Sequence, residues 1–175
     1  MLTPDRLASL LAEYVRQGAS PVDVLLLGGL AVQAYGDARR ATNDVDAEVA
    51  GDLEGLARFL RAHQIPADLG EDLSRWSVVA MPPGYRERAR VWMEGPGFRI
   101  RVLHPTDFVI AKLRRGTAED LEDAAFVAAR LGVTAAAVEA AAEAAVAASP
   151  KDTALFLFRK TVEQFSARLQ ASRPG

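Results

Sequence analysis

Hydrophobic positions along the chain predict short strands and helices in alternation. The apolar run 22–27 predicts a buried strand that ends at Gly28-Gly29, and the next segment, 30–36, predicts a short helix. Residues 44–49 alternate acidic and apolar side chains, which is the two-residue period of a strand. Further strands are predicted at 76–81, 90–93 and 98–103, the last two joined by a turn at 94–97.

Capping signals and helical periodicity predict the remaining elements. Thr3-Pro4 favours a helix start, Asp52 can cap the helix that follows the second strand, and His104-Pro105 opens another helix. Thr117 and Asp120 resemble a capping box for a helix that stops at Gly132, and alanine-rich and amphipathic helical segments follow. The pattern therefore predicts an α/β fold, with a mixed core over 1–116 and a C-terminal helical segment over 117–175.

The acidic side chains of the second strand raise a question about chemistry. Asp44, Asp46 and Glu48 point to one face of a strand, where like charges repel unless the face meets water or a cation. A hard cation such as Mg²⁺ prefers carboxylate oxygens together with water and phosphate. The alternative is a half-exposed edge strand whose solvated acids prevent aggregation.

The glycine pair before the short helix bears on that choice. Gly28 and Gly29 leave backbone N–H groups accessible at a helix start, an arrangement that binds phosphate. Two carboxylates beside such a turn are the minimum for metal-assisted phosphoryl or nucleotidyl transfer. Glycines also serve tight turns for steric reasons alone, so the pair and the acids are informative chiefly in combination.

Composition narrows the class of protein. The 175 residues carry a net charge of −2, which argues against a protein that coats nucleic acid non-specifically. The absence of cysteine excludes disulfides and thiolate metal sites, and two histidines offer little for a histidine-based centre. No apolar run is long enough for a membrane span and no signal peptide is evident, so the sequence predicts a cytoplasmic protein without a membrane partner.

The stretch "GGLAVQAYGDARRATNDVDAEV" resembles the signature of minimal nucleotidyltransferases of the DNA polymerase β superfamily. The likeness is greatest to abortive-infection and toxin–antitoxin nucleotidyltransferases and their small uncharacterised relatives. The later stretch "RVLHPTDFVIAKLRRGTAEDLEDAAFV" supports it, and the resemblance covers roughly 21–130. It implies a nucleotidyltransferase-type sheet and Mg²⁺- or Mn²⁺-dependent transfer from an NTP to a hydroxyl of protein or RNA.

The resemblance also implies roles for particular residues. Asp44 and Asp46 become catalytic metal ligands, with Glu48 as a further candidate. The residues implied for nucleotide binding are Gly28, Gly29, Arg40, Thr42 and Lys112. Lys112 has the alternative of a solvated lysine on an amphipathic helix. Asp120 and Asp123 lie three apart on one helical face and are expected to be structural.

One departure from the family pattern concerns a third carboxylate. It is expected on the strand 98–103, where Arg99 and Arg101 stand instead. Glu48, Glu94 and Asp107 are the candidate substitutes. The alternative function is therefore a catalytically degenerate domain that binds a nucleotide or a partner protein without turnover. A purely structural α/β domain ranks last. The partners expected from the resemblance are an NTP, an RNA or protein acceptor, a cognate toxin or antitoxin, and a second copy of the chain.

Overall fold

The computed structural model describes residues 1–38 and 40–171, and its elements form a mixed α/β structure. The last four residues of the predicted helical segment lie outside the described residues. The described elements, in chain order, are α1 Pro4–Arg16, β1 Val22–Leu26, α2 Gly29–Ala34, β2 Val45–Ala50, α3 Leu53–Ala62, β3 Ala67–Gly70, a 3-10 turn Leu73–Trp76, α4 Tyr85–Arg88, β4 Arg90–Gly95, β5 Phe98–Val102, α5 Pro105–Arg115, α6 Ala118–Leu131, α7 Ala135–Ala148 and α8 Ala154–Ala171.

The chain forms two compact units. The first comprises Met1–Asp72 and Ala89–Leu103, and the second comprises Leu73–Arg88 and the chain from His104 onward. The first contains all five strands of the described residues together with α1 to α3, and the second is helical. The sequence analysis divides the chain into a core over 1–116 and a helical segment over 117–175. The compact units do not test this division into domains, which stays a prediction.

The sheet of the first unit has the strand order β3-β2-β1-β5-β4. β1 pairs antiparallel with β2 and parallel with β5, whereas β2 pairs parallel with β3. β4 and β5 form the antiparallel hairpin predicted from the sequence, with an irregularity between Val91 and Met93. β2 is consequently an interior strand, so its acids are not the solvated side of a sheet edge.

The two faces of the sheet differ in polarity because side chains alternate along each strand. One face is apolar and almost fully buried; it carries Val24, Leu26, Val45, Ala47, Val49, Ile100 and Val102. The other face carries the charged residues of the strands, among them Asp23, Asp46, Glu48, Arg99 and Arg101. Any reactive or ligand-binding side chain of these central strands is therefore expected on this second face.

Local signals place α1, α3, α5 and α6 where the sequence predicts them, whereas the short helix α4 was not predicted. The Thr3 hydroxyl accepts a hydrogen bond from the N–H of Arg6 and begins α1, and Asp52 caps α3 in the same way. In the second unit, the Thr117 hydroxyl caps α6, and Gly116 and Gly132 end α5 and α6 in the left-handed conformation. No helix within the described ranges has the length and apolar character needed to cross a membrane.

The strand predicted at 76–81 is wrong. This segment follows the 3-10 turn and forms a loop, and β2 pairs instead with 67–70, which the sequence analysis left unassigned. The buried guanidinium of Arg114 satisfies the backbone of the loop. Its Nε donates to the carbonyl of Val79 at 2.6 Å, and its Nη2 donates to those of Leu73 and Ser77 at 2.9 and 3.3 Å. A side chain thus replaces the strand partner that these carbonyls would need.

Replacing Arg114 by leucine is expected to lower the free energy of unfolding by about 2–4 kcal/mol, because buried carbonyl groups would lose their donor. Urea denaturation measures the change. Arg130→Leu, at an exposed arginine of α6, is the matched control and is expected to change stability by less than about 0.5 kcal/mol. Equal effects of the two substitutions would contradict this account of the loop.

Candidate functional site

The turn between β1 and α2 leaves backbone donors without protein acceptors. The N–H groups of Ala31 and Val32 both donate to the carbonyl of Gly28, the first residue of the turn. Within the described part of the chain, the N–H groups of Gly28, Gly29 and Leu30 donate to no protein acceptor. Because α2 has only six residues, these individual donors, rather than a helix dipole, make the turn suited to an anion.

Asp46 lies directly over this turn. Its backbone carbonyl accepts a hydrogen bond from the N–H of Leu27 at 2.9 Å, which fixes β2 beside the end of β1. A Cβ atom built on Gly28 would overlap the Asp46 carboxylate and would lie 3.0 Å from Asp46 Cβ. The missing side chain of Gly28 therefore creates the space that the carboxylate occupies.

The segment before β2 packs on the second glycine. A Cβ atom at Gly29 would lie 2.7 Å from Thr42 Cβ, so Thr42 occupies the space above this residue. The Thr42 hydroxyl donates to Asp44 Oδ1 at 2.5 Å. Gly28, Gly29, Thr42, Asp44 and Asp46 are thereby brought together in the first unit. The carbonyl of the half-buried Arg40 accepts a hydrogen bond from Gln33, which sets the start of the same segment.

The three acids of the motif occupy different environments. Asp44 precedes β2 and is exposed, Asp46 is half-buried, and Glu48 is 5% exposed on the same face as Asp46. Glu48 pairs in register with Leu25 of β1 and Gly70 of β3. The alternative of a solvated acidic edge strand is wrong, since β2 lies between β1 and β3 and its last acid is buried.

The structure reveals a further carboxylate that the sequence analysis missed. Asp68 of β3 is the register partner of Asp46, and paired residues of neighbouring strands project to the same face. Asp68 is half-buried, as Asp46 is. The signal in the sequence was the alternation Ala67-Asp68-Leu69. It is weak because the strand has only four residues.

β5, the strand on which a third carboxylate was expected, carries arginines that form ion pairs. Arg101 Nε donates to Asp23 Oδ1 at 2.7 Å, and Arg99 lies 3.7 Å from Asp23 and 3.8 Å from Glu94. In the second unit, Asp107 is 2% exposed and accepts two hydrogen bonds from Arg88. Hydrogen bonding to Asp107 raises the pKa of Arg88. Glu94 and Asp107 therefore already have cationic partners.

Lys112 belongs to the second unit, where it is buried. Its ammonium donates to Asp120 Oδ1 at 3.1 Å and to Asp123 Oδ2 at 2.9 Å, and both carboxylates are buried too. The Thr117 hydroxyl also donates to Asp120, at 2.7 Å. The alternative of a solvated lysine is wrong, and the nucleotide-binding role of Lys112 stays a prediction. The expectation that Asp120 and Asp123 are structural agrees with these contacts.

Replacing Lys112 by methionine is expected to lower the free energy of unfolding by about 3–5 kcal/mol, because two buried carboxylates would lose their shared cation. Chemical denaturation checks this against Lys160→Met, a matched substitution at an exposed lysine of α8. A Lys112→Met protein of unchanged stability with weakened nucleotide binding would instead favour a direct ligand role.

Comparison with known proteins places the chain in a family. Searches of curated proteins and of solved structures found no match. A family model described as a nucleotidyltransferase of unknown function (DUF6036) matches residues 5–151, which include the glycine turn, Asp44, Asp46, Asp68 and the buried Lys112 cluster. This match covers most of the chain and agrees with the mixed sheet and with the carboxylates gathered at the glycine turn. The chain therefore belongs to this nucleotidyltransferase family.

Proposed function

We propose that this protein transfers a nucleotidyl group from an NTP to a hydroxyl group of an RNA or protein acceptor. The observation that carries the proposal is the Asp46 carboxylate lying over Gly28, at a turn where three backbone N–H groups donate to no acceptor among the described residues. Anion-binding donors and a cation-binding carboxylate at one point suit a metal–phosphate complex. The family assignment supports the same chemistry.

The first unit offers groups for the phosphates. The N–H groups of Gly28, Gly29 and Leu30 can donate to phosphate oxygens, and the absence of side chains at the two glycines permits close approach. Thr42, packed above Gly29, supplies a hydroxyl at the same place. Arg40 begins this segment and adds a positive charge suited to the triphosphate.

The residues present fit a divalent cation, although no group of three or more histidine, cysteine or acidic side chains within 1–38 and 40–171 already has the geometry of a metal site. Asp44 and Asp46 provide hard oxygen ligands, and the space at Gly28 admits the Asp46 carboxylate. They are the proposed ligands of Mg²⁺ or Mn²⁺, with Glu48 as a further candidate. When bound, the ion would neutralise charge on the phosphates and on the leaving group.

Asp68 is the proposed acceptor of the proton in this reaction. The acceptor hydroxyl oxygen forms a bond to the α-phosphorus, the bond to the bridging oxygen breaks, and pyrophosphate leaves. The hydroxyl proton passes to a carboxylate oxygen of Asp68, which the strand register sets beside Asp46. Glu48 is less suited to this task because it is buried.

The second candidate function is binding without turnover. The observation that favours it is that β5, the strand where a third carboxylate was expected, carries Arg99 and Arg101, both of which pair with Asp23. A degenerate domain of this kind would bind a nucleotide or a partner protein, and a toxin–antitoxin role for either candidate stays a prediction. Transfer of label distinguishes the two functions directly.

Asp46→Asn is expected to reduce transfer by at least about 10³-fold, because the charge that would hold the cation is lost. Asp68→Asn is expected to reduce the rate by about 10²–10⁴-fold while leaving nucleotide affinity nearly unchanged. The assay follows the α-phosphate label of ATP, CTP, GTP and UTP into cellular RNA or protein, with Mg²⁺ or Mn²⁺. Asp5→Asn, an exposed acid of α1, is the control. Mg²⁺-dependent binding without transfer by the wild type would favour the second function.

Gly28→Ala is expected to abolish Mg²⁺-dependent nucleotide binding, because the new methyl group takes the space of the Asp46 carboxylate. Calorimetric titration with each NTP measures the loss, and circular dichroism shows whether the fold survives. Ala34→Ser, at a half-buried position of the same helix, is the control for a small change near the turn. Undiminished binding by a folded Gly28→Ala protein would argue against this turn as the phosphate site.

A further inference from the structure

One side of the short helix α2 carries the segment 40–44. Gly29 and Gln33 are four residues apart and therefore lie on the same helical face. At Gly29 the missing side chain makes room for Thr42. One turn later, the Gln33 amide nitrogen donates to the carbonyl of Arg40 at 2.7 Å. The two residues thus hold the segment by packing at one point and by a hydrogen bond at the other.

The amino-terminal residues complete this attachment. The same amide nitrogen of Gln33 donates to the carbonyl of Leu2 at 3.3 Å, so both of its hydrogens have acceptors. The N–H of Leu2 in turn donates to the carbonyl of Thr42 at 2.8 Å, and the Leu2 side chain is buried. Gln33 therefore connects α2 to Leu2, whose N–H bonds to the Thr42 carbonyl, and to Arg40, which lies two residues before Thr42.

We infer that Gln33 is a positioning residue that holds Thr42 and Asp44 at the Gly28-Gly29 turn. The chain of contacts runs from Gln33 through Arg40 and Leu2 to Thr42, whose hydroxyl donates to Asp44. Gln33 acts through these residues rather than on the nucleotide. The inference rests on the proposed function for its effect on catalysis, and on the contacts of Gln33 alone for its effect on the segment.

Glutamine suits this position because the attachment needs two donors facing two carbonyl oxygens. Methionine has a similar shape and no donor, so Gln33→Met leaves the Arg40 and Leu2 carbonyls without this partner. Glutamate is closer still in shape, but its ionised carboxylate only accepts hydrogen bonds and repels the carbonyl oxygens. Gln17→Met is the matched control, since among the described residues the side-chain amide of Gln17 bonds only to the side chain of Glu13, at the protein surface.

The experiment combines three measurements on the full chain. Hydrogen–deuterium exchange without nucleotide, followed by NMR, reports the protection of the Leu2 N–H, which donates to Thr42, and of the Arg40 N–H, which donates to Asp37. Thermal unfolding reports global stability. Titration with the Mg²⁺ complexes of ATP, CTP, GTP and UTP, with steady-state kinetics for those that react, gives affinity, KM and kcat. Gln33→Met and Gln33→Glu are expected to raise exchange at the Leu2 and Arg40 N–H groups about tenfold and KM about tenfold, with little change in unfolding temperature. Gln17→Met is expected to change none of these.

The possible outcomes separate this inference from the proposed function. Unchanged exchange at the Leu2 and Arg40 N–H groups for both Gln33 variants would overturn the positional role, whatever the nucleotide data show. Faster exchange with unchanged KM and affinity would overturn its link to nucleotide binding. Faster exchange in a protein whose wild type binds no NTP would keep the positional role and reject nucleotidyl transfer.

Discussion

The candidate site depends on one close approach, that of the Asp46 side chain to the backbone of Gly28. A carboxylate can occupy this place only because the residue beneath it has no Cβ. The strands enforce the approach: the Leu27 N–H bonds to the Asp46 carbonyl, so the end of β1 and the start of β2 are joined where the glycines begin. The next residue, Gly29, makes room for Thr42 in the same way. Each glycine of the turn therefore accommodates one polar side chain from the segment 42–46.

The topology of the sheet gives this approach its chemical setting. Because β2 lies between β1 and β3, Asp46 has the glycine turn on one side and Asp68 on the other. Carboxylates on neighbouring strands of one face repel each other unless a cation or a proton lies between them. The three alternating acids thus lie in three different environments. Asp44 is exposed to water, Asp46 faces the glycine turn, and Glu48 is buried.

Sequence patterns were sufficient where a local signal determines structure. The alternation at 44–49, the capping residues Thr3 and Thr117, and the glycine stops predicted elements that the structure confirms. The grouping of Gly28, Gly29 and Asp46 also followed from a local motif. Asp68 did not, because a four-residue strand has little periodicity and its significance comes from pairing with a strand twenty residues earlier. The hydrophobic run 76–81 misled for the converse reason, since a distant arginine rather than a neighbouring strand satisfies its backbone.

Buried charge in the second unit shows why residue type alone did not decide such roles. Lys112 and Arg114 stand two residues apart on α5, and a basic stretch of this kind suggests a surface that meets phosphate. Their actual partners are internal: two aspartates of α6 for Lys112, and loop carbonyls for Arg114. An ammonium removed from water needs nearby carboxylates, and a buried guanidinium needs several acceptors, so each cation fixes the elements around it. The same charge that would bind a substrate at the surface therefore organises the helices when it is buried, and only the three-dimensional partners distinguish the two uses.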